Sequence, residues 1–129
     1  MSNLIVIGHG GYGTGVKSNL NMLLGSTPNV YYIDFDTTDT LTTLNDKIQN
    51  IIKKCEDEEI LFTCDLAGGS PFKQAAMLAA DNSKFMVIAG LNTAAYCEII
   101  YRLDMPVAEI ADLALKSVLN SLVCFPNKI

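Results

Sequence analysis

A chain of 129 residues, half of them apolar and 18% charged, has material for one domain spanning residues 1–129 with a substantial core, and none for a second. Its formal charge of -5 excludes nucleic acid and anionic lipid as partners, since both select a basic surface, and suits a basic protein partner instead. No apolar stretch approaches the roughly 20 residues of a membrane span, and the N-terminus lacks the features of a signal peptide, so a cytoplasmic location is expected.

In chain order, the apolar run at 4–7 reads as a buried parallel strand. It leads directly into Gly8-His9-Gly10-Gly11-Tyr12-Gly13, which contains the only histidine. The pattern then predicts a helix over 14–24 closed by Gly25, a strand over 30–33, a helix over 40–55 capped by Asp39 or Thr40, and a strand over 60–64. Next come a helix over 71–80 with Ser70 as N-cap and Pro71 in its first turn, a strand over 85–89, and helices over 94–103 and 107–119, the last opened by Pro106. Tyr31 and Tyr32 should face opposite layers, and the acidic run Glu56-Asp57-Glu58-Glu59 reads as a solvated turn. The apolar run at 121–126 is too exposed to stand alone; it reads as an antiparallel edge strand, added to its own sheet or crossing to another subunit.

Strand and helix alternate, so the strands should be parallel. The expected fold is α/β, a doubly wound three-layer α/β/α arrangement with a mostly parallel sheet of flavodoxin-like order 2-1-3-4. Cys55, Cys64, Cys97 and Cys124 include no CxxC pair, and with one histidine they make no recognisable zinc site; they are expected to be reduced and mostly in the core.

In such a sheet the ligand site lies beyond the carboxyl ends of the strands where strand order reverses, here between strands one and three. The loop after strand one carries His9, and the loop after strand three reads Asp65-Leu66-Ala67-Gly68-Gly69-Ser70-Pro71, so His9 and Asp65 should be neighbours. A histidine that attacks phosphorus needs one neutral, free nitrogen while the other is held as N–H by an acceptor. Asp65 is the candidate acceptor. Gly68, Gly69 and Ser70 are the candidate phosphate-binding donors, through their backbone amides and a helix N-terminus.

The plainer readings are a structural histidine, Asp65 as a turn residue or cap, and Ser70 as an N-cap only. A sharper competitor is dinucleotide binding: Gly8, Gly10 and Gly13 satisfy GxGxxG after a strand, and Asp34 lies about 20 residues on, as that site requires. Against it, the chain is too short for a second mononucleotide half. Asp34-Phe35-Asp36 could suggest magnesium, but neither a P-loop nor its lysine accompanies it.

The segment Val6-Ile7-Gly8-His9-Gly10 with Met22-Leu23-Leu24-Gly25 downstream, the loop Asp65 through Pro71, and Ile88-Ala89-Gly90-Leu91-Asn92 together resemble the mannose-type enzyme IIA components of the bacterial phosphoenolpyruvate-dependent sugar phosphotransferase system. The resemblance spans nearly the whole chain. It implies that His9 accepts a phosphoryl group from phospho-HPr and passes it to a IIB component, that Asp65 orients the ring, and that Ser70 lies beside the phosphate. It also implies no metal, nucleotide or other cofactor, a homodimer exchanging a C-terminal strand, and membrane contact only indirectly, through the IIC/IID permease. Gly11, Gly13 and Gly15 depart from the family pattern, and a later or weaker start of the first helix is expected. The chain ends at Ile129 without the alanine- and proline-rich linker of some relatives, so a free-standing IIA protein with a separate IIB chain is expected. The phosphotransfer subunit of a dihydroxyacetone kinase system and IIA-like domains of transcriptional activators share this layout; a small nucleotide-binding Rossmann-like module is the alternative of another class.

Overall fold

In a computed structural model describing residues 1–127, strands β1 (Ser2–His9), β2 (Val30–Phe35), β3 (Glu59–Cys64) and β4 (Phe85–Ala89) form one sheet, all neighbours parallel, in the order β2-β1-β3-β4. Helices α1 (Tyr12–Leu24), α2 (Leu41–Lys54), α3 (Ser70–Asp81), α4 (Thr93–Ile100) and α5 (Val107–Ser121) cover its two faces. The expected doubly wound α/β fold of order 2-1-3-4 is therefore the observed one.

The period-two alternation of β1 splits its apolar run between two cores. Leu4 and Val6 pack with Leu61, Tyr96, Ile99 and Ile110 under α1, α4 and α5, whereas Ile5 and Ile7 pack with Phe62, Leu44, Ile48 and Ala75 under α2 and α3. Burial on both faces explains why β1 reads as a continuous apolar run rather than an alternating one: Ser2 through Gly8 are all buried. Each fully buried aliphatic side chain stabilises the sheet by roughly 1.5–3 kcal/mol. Tyr31 and Tyr32 face opposite layers as expected.

Helix boundaries follow from identifiable caps. Thr40 caps α2 in a reciprocal box, its hydroxyl accepting from the Thr43 amide at 3.2 Å while the Thr43 hydroxyl accepts from the Thr40 amide at 2.8 Å. Gly25 closes α1 with φ +80°. The first helix starts at Tyr12, earlier than the expected Thr14 and not later, although its N-cap Gly11 has no side chain to offer. The missing cap comes from the neighbouring strand: Asp34 accepts from the Thr14 amide at 2.9 Å and also from the Thr14 hydroxyl. Gly13 is required here, because a Cβ would lie 2.6 Å from the Ile33 carbonyl oxygen.

Three other expectations are corrected. Gly69, not Ser70, is the N-cap residue of α3, with φ 88° and ψ 178°, and Ser70 is already helical. Helix α4 ends at Ile100 rather than Leu103, because 101–105 form successive turns. The acidic run is only partly a solvated turn: Glu56 and Asp57 make it with φ 48° and 63°, while Glu59 opens β3 and accepts from the Val107 amide at 2.8 Å, capping α5. The tail at 122–127 forms no strand with its own sheet, and 128–129 lie outside the described residues. Cys55 and Cys64 are buried, Cys97 half-buried and Cys124 exposed, all four as free thiols.

Replacing Thr40 by Ala should cost about 1 kcal/mol of stability through the lost cap. Gly13→Ala should cost more, on the order of 1–3 kcal/mol, because the new methyl meets rigid backbone. Urea denaturation of the two variants beside the wild type measures both losses.

Candidate functional site

The chain leaves β1 toward β2 on one side and leaves β3 toward β4 on the other, so a crevice opens where the carboxyl ends of β1 and β3 diverge. His9 ends β1 as its first exposed residue after seven buried ones. Asp65 follows Cys64, the last residue of β3, and Cys64 pairs in register with Ile7. Parallel register alone therefore brings together two loops 56 residues apart in sequence.

His9 and Asp65 make two contacts through one carboxylate oxygen. The His9 backbone amide donates to Asp65 Oδ2 at 3.0 Å, and ring Nδ1 lies 2.8 Å from the same oxygen. The second oxygen accepts from the Leu66 amide at 3.0 Å. Burial pushes the Asp65 carboxyl upward, but donation from the His9 amide and ring and from Leu66 outweighs it, holding the group below its ordinary value of 3.8. A carboxylate accepting at Nδ1 fixes that nitrogen as N–H and leaves Nε2 as the free lone pair. The His9 side chain is 43% exposed against 16% for Asp65, so the ring stands open while its orienting group is covered.

The outer edge of the ring meets glycine. A Cβ on Gly69 would lie 2.8 Å from His9 Cε1 and 2.9 Å from Nε2, and Gly69 holds φ +88°; both facts demand glycine. Directly after it begins α3, whose first-turn amides have no helical partners and present partial positive charge. Ser70 is half-buried there, and its hydroxyl caps nothing. Gly68 lies farther out, with only a Leu66 methyl within ordinary contact of a notional Cβ. Of the three candidate phosphate-binding residues, Gly69 is thus placed against the Nε2 edge, Ser70 begins the helix next to it, and Gly68 lies farther out.

Sequence reasoning missed Phe35, whose ring meets the imidazole edge-on at a centroid distance of 6.0 Å. Its signal was present in the register, since Phe35 ends β2 opposite His9. Cys64, next to Asp65, is no competing nucleophile: burial first, and then the Asp65 charge, push its thiol up to about 12. Asp34 spends both carboxylate oxygens on Thr14, and Gly13 is occupied by the close approach to Ile33. The features that suggested a dinucleotide site therefore have local structural uses. Asp36 lies 3.8 Å from Lys47 Nζ, and among the described residues no group of three or more His, Cys, Asp or Glu side chains is placed to hold a metal ion.

A family model described as the PTS system fructose IIA component matches residues 3–113. The fructose-specific EIIA component of Bacillus subtilis (strain 168) is 29% identical over 123 residues, covering 95% of this chain and 80% of that protein. The mannose-specific EIIAB component of Escherichia coli (strain K12) is 37% identical over 94 residues; the match takes in 71% of this chain but spans only 29% of that longer protein. Among solved structures, the phosphotransferase system component EIIA from Streptococcus agalactiae superposes with a TM-score of 0.89 at 26% identity, covering 97% of this chain and 98% of that one. The mannose/sorbose specific IIA subunit from Enterococcus faecalis gives 0.88 at 23% identity, covering 99% and 97%, a likeness of fold.

Because the folded state holds the Asp65 carboxyl below its ordinary value, the stability this group contributes is present above about pH 4 and is lost as the pH falls through the folded value. Asp65→Asn should flatten that acid limb, as read by denaturation midpoints between about pH 5 and pH 2. An acid limb unchanged in slope would mean that the His9 contacts do not bias the carboxyl.

Proposed function

Because the chain belongs to the mannose-type enzyme IIA family, the group described as the PTS system fructose IIA component, we propose that His9 is its phosphoryl-carrying residue, loaded by phospho-HPr and unloaded onto a IIB component. Members of this family are phosphotransferase components of a phosphoryl relay that serves sugar uptake. The observation that carries the assignment is the division of labour within one imidazole, with Nδ1 bound to Asp65 at 2.8 Å, Nε2 left without a hydrogen-bond partner among the described residues, and the side chain 43% exposed.

In loading, the lone pair of His9 Nε2 attacks the phosphorus of the donor phosphohistidine; the new N–P bond forms as the old one breaks, and the donor imidazole leaves with its electron pair. Nδ1 keeps its proton throughout, donating it in a hydrogen bond to Asp65, so the positive charge that develops on the His9 ring lies beside a carboxylate. The phosphoryl oxygens face the first turn of α3, where Gly69 leaves room for them and Ser70 supplies a hydroxyl. Unloading onto IIB is the same step reversed with a different partner. Because one phosphohistidine replaces another, the exchange is close to balanced, and alignment is the main task of the protein.

The remaining assignments rest on the family and on the surface. A single IIA unit over residues 1–129, working in the cytoplasm without a cofactor, meets the membrane only indirectly through the IIC/IID permease, and sugar does not touch it. Among the described residues no helix is long and apolar enough to cross a membrane. In the tail after α5, Leu122, Val123 and Phe125 are 74%, 83% and 96% exposed. Such an apolar tail supports a homodimer in which it pairs with the sheet of a second copy.

Incubation with phospho-HPr and intact-mass measurement should add one phosphoryl group per chain to the wild type and none to His9→Ala. Labelling of that variant would place the nucleophile elsewhere. Asp65→Asn should still accept the group but at least about tenfold more slowly, since the ring loses its fixed tautomer.

A further inference from the structure

Beneath the site, on the α1 and α4 side of the sheet, runs a chain of hydroxyl groups. The Tyr12 and Tyr96 hydroxyls lie 2.6 Å apart. Tyr96 donates to Thr63 Oγ1 at 3.1 Å, and Thr63 donates to the Ile5 carbonyl at 3.5 Å. Each hydroxyl has one proton, so the sense of the chain is fixed: Tyr12 donates to Tyr96, Tyr96 to Thr63, Thr63 to strand β1. Tyr96 is 2% exposed and Thr63 is fully buried. Phenylalanine and valine would fill the same space without the polar groups, so shape alone does not call for three linked hydroxyls here.

The ends of this chain fall at informative places. Tyr12 lies three residues after His9 and Thr63 two residues before Asp65. Between His9 and Tyr12 stand only Gly10, held at φ +57°, and Gly11, the residues least able to hold a conformation by themselves. On the other side of His9, a Cβ on Gly8 would come within 2.5 to 2.8 Å of Tyr12 Cδ2, Cγ and Cβ, so the Tyr12 side chain rests directly on the Gly8 backbone.

We propose that the Tyr12–Tyr96–Thr63 chain is a positioning device, a second tie between the His9 and Asp65 loops that sets the imidazole against its carboxylate from the far side of the sheet. It rests on the reading of His9 as the phosphoryl carrier for its functional meaning, though not for its geometry. Burial pushes the pKa of Tyr12 and Tyr96 above that of an ordinary phenol, so both remain neutral and the direction of donation persists. Tyr12 and Tyr96 touch no phosphoryl group; they act through the placement of His9.

The test compares wild type, Tyr12→Phe, Tyr96→Phe and the double variant, each checked for cooperative thermal unfolding. Because the chain contains a single histidine, long-range ¹H–¹⁵N spectra of the unphosphorylated protein report the His9 ring without overlap. The wild type should show the Nδ1–H tautomer, and both single variants should gain the Nε2–H form. With phospho-HPr as donor, kcat for phosphoryl uptake should fall on the order of tenfold with KM unchanged, and the double variant should be no slower than Tyr96→Phe alone, since both changes break one chain. Ring spectra identical to wild type, a loss confined to KM, or losses that multiply in the double variant would each overturn the proposal. If the wild type takes up no phosphoryl group, the relay reading fails, and the tautomer spectra still decide the positioning role. Should Tyr96→Phe fail to fold, Tyr12→Phe alone carries both readouts.

Discussion

The hydrogen bond between His9 Nδ1 and the Asp65 carboxylate is the contact on which the rest of the site depends. By itself it is worth about 1–3 kcal/mol, too little to bring together two loops 56 residues apart against their conformational freedom. The sheet does that work. β1 and β3 are adjacent, parallel and buried on both faces, so their ends are placed before either side chain acts. The bond then has only to choose a tautomer and a ring plane.

Around that pair, three glycines allow groups to approach where any side chain would collide. Gly8 accommodates Tyr12, Gly13 accommodates the Ile33 backbone, and Gly69 accommodates the imidazole. The two helix N-termini near the site are used differently. That of α1 is already engaged by the Asp34 carboxylate, whereas α3 starts at a glycine cap with no side-chain acceptor. An incoming anion therefore meets one helix end whose positive potential is offset and one whose potential is free. Next to the imidazole, α3 is the end that is free.

Short apolar runs and βα punctuation were enough to read the four strands and a parallel sheet, because burial on both faces leaves a strong apolar signal. Thr40 and Gly25 could be read because their chemistry is local. Three of the boundaries that differed depended on something distant. Helix α1 starts early because Asp34 of β2 caps it, and Ser70 is displaced from the cap position because Gly69 alone can take the left-handed turn beside His9. Glu59 leaves the acidic turn because the α5 amide lies next to it. No local pattern reports a cap supplied by another element.

The hydroxyl chain behind the site follows the same division. Tyr12, Thr63 and Tyr96 each look unremarkable in their own segments, and only the packing of α1 and α4 over β3 makes them one object. By itself the sequence determined the candidate residues: one histidine set among glycines, one aspartate at a strand end, and a glycine-rich turn into a helix. Tertiary structure decided which nitrogen is free, which helix end is uncompensated and which hydroxyls join in one chain behind the site. The physical reason is range, since strand and helix patterns are set by neighbours within a few residues, whereas tautomer, field and alignment are set by atoms brought close only when the whole sheet has formed.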